Sequence, residues 1–468
     1  MTLTQIFIFS ALGLAAGRFY KVVNRGWLLF AASVLAVFWL QPASLIRNLP
    51  FLLPAASLGL AGLVWSLTLP KERRATKEDR WAAGLLGGLV LFISASRYVE
   101  PLSEWLAARP PQLELAFIAV AALAALGFLA YWMSRGRSLL QNAVALIIIG
   151  TLVVLKSEPL AIAASGTLRM LAGQDASLAS SFDFGWLGFS YIAFRLVRVL
   201  RDRVSGRLPQ VSLRDFITYI VFFPALTAGP IDRVERFTPQ LLGEFALGSE
   251  QLLAAGWRLA MGLFMKFVLA DGLAFFALNA VNAWQTESMG WMWVLLVAYA
   301  FRIFFDFAGY THIAIGLGLL FGVLLPENFE RPYLKHNLTA FWNSWHMTLA
   351  QWFRAYYFNP LTRWLRSRNL QVWLVILVGQ LTTMALIGLW HGITWNFLAW
   401  GLWHGAGLFI HNQWTQFSKA RPLSITPRLA QPLGIFATFA FVTIGWVWFA
   451  LPGPQDAARV FSVLFGMN

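Results

Sequence analysis

Hydrophobic runs of membrane length recur along almost the whole chain, at 3–17, 26–46, 50–70, 81–96, 115–133, 138–155, 184–200, 252–281, 291–307, 309–325, 338–360, 371–389, 393–411 and 432–451. A helix needs about 20 mostly apolar residues to cross the hydrocarbon core. In lipid, only helices and closed barrels satisfy their own backbone polar groups. The runs therefore predict an all-α polytopic membrane protein. The shorter and more charged runs read as re-entrant segments. Polar stretches are brief: 156–183, 201–215 and 230–251 are the longest. None is long enough for a separate soluble domain, and no repeat at solenoid spacing appears, so residues 1–468 read as one integral membrane domain. The first run lacks a basic leader and a small-residue cleavage site, and reads as a retained segment rather than a signal peptide.

Composition sharpens this. Apolar residues make up 58% of the chain and charged residues 12%, about half the charge of an ordinary soluble domain. A soluble globular enzyme, a disordered chain and a nucleic-acid binder are excluded. The net charge of +15 is what Lys- and Arg-rich cytoplasmic loops produce. Arg18, Lys21 and Arg25 mark one such loop, and Lys71, Arg73, Arg74, Lys77 and Arg80 a second. Between them lies a loop with Arg47 alone. The 97–114 loop sets Glu100, Glu104 and Glu114 against Arg97 and Arg109. Arg135 and Arg137, six arginines from Arg195 to Arg214, and Lys419, Arg421 and Arg428 continue the alternation. It predicts a multi-pass membrane protein with both termini extracytoplasmic. The chain has no cysteine, which removes disulfides, thiolate metal sites and a cysteine nucleophile.

The six histidines, His312, His336, His346, His391, His404 and His411, all fall within 100 residues. An ionisable group in an apolar stretch is a functional candidate in a membrane. The plainer reading, an interfacial histidine bonded to water or a carbonyl, suits His336 and His411 better than His391. His391 sits at a break between apolar segments, in Leu389-Trp390-His391-Gly392. A break at membrane depth is tolerated where protein or a water-filled cavity surrounds it. Beyond it Asn396, Trp400 and His404 recur at four-residue spacing, with His411 seven further on, as a polar stripe turned inward. A second centre is Phe341-Trp342-Asn343-Ser344-Trp345-His346, where the three-residue spacing predicts that Asn343 and His346 share a helical face. The tryptophans, Trp342, Trp345 and Trp390 among them, serve equally as interface anchors or packing. Zinc held by histidines with Asp306 would need a spacing such as H-x-x-x-H, which does not occur, so no metal is expected. Asp306 follows Arg302 by four residues and predicts a structural ion pair; Lys266 and Asp271 read the same way. The arginines from Arg195 onward read chiefly as topology signals and phospholipid anchors. Arg195, Arg198 and Lys266 are candidates for the phosphates of a cytoplasmic nucleotide-bearing donor.

These residues resemble those of the membrane-bound O-acyltransferase (MBOAT) family, in its bacterial branch of alginate O-acetyltransferases and D-alanyl transferases. The resemblance rests on six segments in family order over about 184–450. They are Phe223-Pro224-Ala225-Leu226-Thr227-Ala228-Gly229-Pro230-Ile231 with Phe237-Thr238-Pro239-Gln240-Leu241, and Gly262-Leu263-Phe264-Met265-Lys266 with Ala270-Asp271. Next come Phe305-Asp306-Phe307-Ala308-Gly309-Tyr310 with Ala314-Ile315-Gly316, and Pro326-Glu327-Asn328-Phe329. The last two run from Phe341 through His346 to Trp352-Phe353-Arg354, and from Gly388 through His391 to Trp403-His404-Gly405. Residues 1–180 match only as generic membrane helices. The resemblance implies a ring of transmembrane and re-entrant helices around a central tunnel. It also implies acyl transfer from a thioester to a hydroxyl, with His391 catalytic and His346 supporting it. Asn343, Trp342, Trp345, Trp390, Asn396, His404, Asp306 and Tyr310 would flank the tunnel.

The implied donor is cytoplasmic acetyl-CoA, used as substrate with no bound cofactor, or a carrier-protein thioester in the D-alanyl branch. The implied partners are a polysaccharide acceptor outside the membrane, an extracytoplasmic acetyltransferase and the lipid itself. Asn343 and Ser344 stand where relatives usually carry two arginines, and Ala355 and His312 where they carry acidic residues. These departures bear on acceptor identity and partner docking. The chemistry agrees: a hydroxyl of high pKa needs a base within about 2.6–3.2 Å, and histidine serves best near neutral pH. His346 or Asn343 would orient the acceptor or stabilise developing charge. The competing class is a lipid-linked sugar transporter with histidine proton relays. It expects inverted halves, and 1–234 and 235–468 show no internal symmetry.

Overall fold

The computed structural model describes residues 1–17, 22–70, 73–133, 138–420 and 426–467. Arg18, Lys21, Lys71, Arg135, Arg137 and Arg421, used above for orientation, lie outside them. The protein is about 77% helical, with no strand among the described residues. Eight helices there are long and apolar enough to cross a membrane: Leu49–Thr68, Lys77–Tyr98, Leu113–Trp132, Ser138–Lys156, Ser249–Ala274, Met289–Leu320, Val372–His391 and Arg428–Ala450. Large apolar side chains such as Phe117, Ile118, Phe128, Trp132 and Leu139 stand exposed on them, which suits contact with lipid rather than water. The fold class follows the sequence expectation: an all-α, multi-pass membrane protein.

Two compact units form, one from residues 1–258 with 313–326, the other from 259–312 with 327–468. In the first unit, the run at 184–200 is not a lipid-facing span. The helix there, Phe189–Val204, has twelve of its sixteen residues buried, Arg195 and Arg198 included. The next helix, Leu213–Val221, is buried throughout. Its C-terminal carbonyls have no helical donors, and the chain beyond offers few, because Pro224 and Pro230 carry no N–H. Arg195 supplies them. Its Nη1 donates to the carbonyls of Tyr219 and Ile220 at 3.2 and 2.8 Å, and its Nη2 to Ala225 and Pro230 at 3.1 and 3.4 Å.

Arg25 works in the same way. It lies in the helix Val22–Trp39 rather than in a loop, and it is buried. Its Nη2 donates to the carbonyls of Gln240, Leu241 and Gly243 at the end of the helix Val234–Leu242. The polar stretch 156–183 holds a further helix, Glu158–Leu171. There Arg169 grips Asp183 through two hydrogen bonds of 2.9 and 3.0 Å.

The runs at 291–307 and 309–325 do not make two spans. Met289–Leu320 is one helix of 32 residues, about 48 Å at 1.5 Å per residue. Within it Gly309 is a packing surface. A Cβ there would lie 2.9 Å from the Gly262 carbonyl and 2.8 Å from the Lys266 nitrogen, so only glycine lets the two segments meet. The run at 338–360 is likewise not one span. It breaks at 343–346, between the short helix Leu338–Trp342 and an uninterrupted helical stretch over 347–367 that carries a π-helical turn at Arg354–Phe358.

Replacing Arg195 with Met would leave buried carbonyls without donors, at about 1–3 kcal/mol for each one left unsatisfied. Arg195→Met should therefore melt far below wild type in detergent or fail to accumulate folded. Arg201→Gln, at an exposed position of the same helix, should melt with wild type. Thermal denaturation followed by size-exclusion of the soluble fraction measures both.

Candidate active site

His391 is the last residue of the helix Val372–His391, and the chain turns through Gly392, Ile393 and Thr394 into Trp395–Ala420. The two helices form a hairpin with almost no space between them. A Cβ on Gly388 would lie 2.1 Å from the Phe397 carbonyl, and one on Gly401 2.4 Å from that of Met384. Small residues at such a seam let helix backbones touch, and this seam fixes where His391 points. Its ring meets Trp390 at 4.5 Å, Phe449 at 4.7 Å and Trp400 at 5.7 Å between centroids.

His346 arrives differently. The helix Leu338–Trp342 stops, Trp345 forms an isolated antiparallel bridge with Phe329, and His346 takes a left-handed conformation with φ of 42°. Asn328 holds this turn. Its carbonyl accepts from the Met347 N–H at 3.0 Å, and its Oδ1 from the Thr348 hydroxyl and N–H at 2.7 and 3.3 Å. The His346 ring packs edge-on to Phe307 at 4.7 Å and faces Trp390 at 6.1 Å. Trp390 therefore touches both histidines.

The two histidines line one cavity of about 40 Å³ with Phe307, Trp342, Trp345, Trp400, Trp446 and Phe449. At about 10–15 Å³ of such volume per water, it admits roughly three heavy atoms. His346 is buried, and among the described residues neither of its ring nitrogens nor the buried indole nitrogens of Trp342 and Trp400 has a hydrogen-bond partner. Buried polar atoms almost always find partners. Four of them around one small cavity mark a place built to bind something polar. His391 is half-buried, the more accessible of the pair.

The other residues singled out from the sequence fall elsewhere. Asn343 does not share a helical face with His346, because the helix ends between them. It is exposed, and Arg354 donates to its Oδ1 at 2.5 Å. Asn396 and His404 do face inward, as the stripe predicts. Asn396 donates to the carbonyls of Leu451 and Gly453 at 2.8 and 3.0 Å and ties two helix ends together. His404 is fully buried behind the cavity wall, 5.0 Å from Trp400 and 5.1 Å from Trp342.

Asp306 pairs with Lys266 at 2.5 Å and not with Arg302, so Lys266 is also not the partner of Asp271. The close approach at Gly309 brings this pair together. Tyr310 is buried on the same helix outside the cavity wall. Arg195 and Arg198 are buried in the other unit, Arg195 on carbonyls and Arg198 beside Asp202 at 3.4 Å, rather than presented to a donor phosphate. Among the described residues no three His, Cys, Asp or Glu side chains converge as a metal site. Sequence reasoning missed Asn328 as a site residue. Its only signal was a place in the Pro326-Glu327-Asn328-Phe329 segment.

Fold and site define a polytopic helical membrane protein with a histidine pair facing a buried aromatic cavity. The family model of the membrane-bound O-acyltransferases, MBOAT, matches residues 137–451, and the chain belongs to that family. It is 33% identical over 294 residues to a probable alginate O-acetylase of Azotobacter vinelandii, covering 60% of this chain and 54% of that protein. A teichoic acid D-alanyltransferase of Streptococcus thermophilus is 32% identical over 289 residues, 57% of this chain and 68% of its own length. A peptidoglycan O-acetyltransferase of Helicobacter pylori is 31% identical over 282 residues, 58% and 52% respectively. The match thus spans about half the length of the alginate and peptidoglycan relatives.

The Asn328–Thr348 bond should be measurable as a coupling. Asn328→Ala and Thr348→Val should each destabilise by about 1–3 kcal/mol, and the double variant by clearly less than their sum. Additive losses in thermal or denaturant melts would show that the bond does not hold the turn.

Proposed function

We propose that the protein is an O-acyltransferase that moves an acyl group from a thioester donor to a hydroxyl of a cell-envelope polymer. The observation that carries this reading is the shared cavity of His391 and His346, with no cysteine anywhere in the chain to form an acyl-enzyme. The acceptor hydroxyl gives its proton to the neutral His391 ring as its oxygen attacks the thioester carbonyl. The carbon–sulfur bond of the tetrahedral intermediate then breaks, and the thiolate takes a proton as it leaves. Charge develops on the carbonyl oxygen. His346 and the indole N–H groups of Trp342 and Trp400 are the donors available for it, in a wall that excludes bulk water. Asn343, bonded to Arg354 on the exposed side, is left out of that role.

Room for roughly three heavy atoms suits an acetyl group, and the donor assigned is acetyl-CoA from the cytoplasm. The likeness to acetylases of alginate and peptidoglycan points to an acceptor outside a bacterial inner membrane, delivered with an extracytoplasmic acetyltransferase partner. The similarity to a D-alanyltransferase keeps a carrier-protein thioester as the second donor. Family membership weighs against the transporter.

Purified protein in detergent with radiolabelled acetyl-CoA tests the reading. His391→Asn should lower release of the free CoA thiol by about 10²–10⁴-fold, and Trp400→Phe by about 10²–10³-fold in kcat if its N–H meets the oxyanion. Full activity of His391→Asn would overturn the assigned base. Transfer only from an acylated carrier protein would replace acetyl-CoA as donor. A second assay compares acyl lengths. Wild type should use acetyl-CoA far better than butyryl-CoA, and Phe449→Ala, which enlarges the cavity, should narrow that preference.

A further inference from the structure

In the first unit, the connections at 40–48 and 96–112 lie at one end of four helices. They follow the helices Val22–Trp39 and Lys77–Ala95 and precede Leu49–Thr68 and Leu113–Met133. Together they enclose a cavity of about 380 Å³, the size of an ordinary small-ligand site. Its floor is apolar, with Phe38, Ile46 and Ile93 buried, and its rim carries Arg47, Arg97 and Arg109. Among the described residues none of the three arginines has a carboxylate within ion-pair distance, although Glu100 and Glu104 share the same loop.

The rim is held in place. Arg97 Nη1 donates to the Pro110 carbonyl at 2.7 Å, and Ser94 Oγ to the Pro111 carbonyl at 2.9 Å. Gln174 pins the other connection from both sides, accepting from the Arg47 N–H at 2.8 Å and donating to the Leu45 carbonyl at 2.9 Å. Trp39 and Trp105 meet at 6.3 Å beside it, as aromatic rings do at the depth of lipid headgroups.

We propose that this cavity binds the phosphate-bearing headgroup of an anionic phospholipid. The guanidiniums would hold the phosphate, and the first acyl carbons would lie on the apolar floor. Three unneutralised guanidiniums call for an anion, and the floor beneath them calls for one with a tail. The loop charges, counted along the sequence, hide this cluster, because its members come from two connections that each look weakly charged.

Delipidated full-length protein in a neutral detergent, titrated with phosphatidylglycerol and read by native mass spectrometry, tests the site. The double variant Arg47→Gln/Arg109→Gln keeps the Arg97–Pro110 bond and should elute as a folded monodisperse peak. It should need about tenfold more phosphatidylglycerol for equal occupancy, and adding Arg97→Gln should weaken binding further. Phosphatidylcholine should bind more weakly than phosphatidylglycerol to wild type and respond little to the substitutions. Equal occupancy in wild type and the folded variants, or equal binding of the two lipids, would overturn the proposal. So would inorganic phosphate or a uronic-acid oligosaccharide displacing phosphatidylglycerol at equal concentration, because neither uses the floor. The readout is binding alone, so its outcome does not depend on the acyl-transfer reading.

Discussion

The constraint on which this structure depends is that every backbone N–H and carbonyl freed by a broken helix must be satisfied from inside. In an apolar environment there is little water to do it, and an orphaned group costs kilocalories. The chain breaks its helices often, and at several breaks a side chain from a distant segment closes the gap. Arg195 and Arg25 cap helix ends with guanidinium groups. Asn328 accepts the N–H of Thr348 where the chain restarts after His346. Asn396 donates to carbonyls where the helix Pro427–Ala450 ends. Irregular backbone is what brings His346 to the cavity, and these polar side chains make the irregularity tolerable.

Much of this was legible in the sequence where the signal is local. Apolar run lengths identified most of the long helices, and the four-residue spacing of Asn396, Trp400 and His404 correctly predicted an inward face. The break after His391 was readable because glycine and polar residues follow at once. Features set by residues far apart were not readable. Spacing paired Asp306 with Arg302, but Gly309 brings in Lys266 from forty positions away. That glycine is a point of close packing, which no local spacing reveals. Asn343 and His346 looked like neighbours on one helix, yet the left-handed turn at His346 depends on Asn328. The six arginines from Arg195 to Arg214 read as topology signals and lipid anchors, while three of them, Arg195, Arg198 and Arg214, are buried.

Electrostatics and packing divide the labour in the second unit. The Lys266–Asp306 pair lies partly exposed, outside the residues that line the histidine cavity. The histidine cavity is walled by rings, and its polar atoms are few and individually placed. Such a wall gives shape rather than charge. It lets the few hydrogen-bonding groups act on a small substrate at low effective dielectric.

The hairpin that carries His391 also bears on how the two histidines are held. Two helices whose backbones meet at Gly388 and Gly401 have no layer of side chains between them there to slide or repack. The segment bearing His346 is different: a short interrupted stretch, bent at one left-handed residue and tethered through Asn328. The two imidazoles are thus held by different means: backbone contact between helices fixes one, and a handful of hydrogen bonds around Asn328 fixes the other.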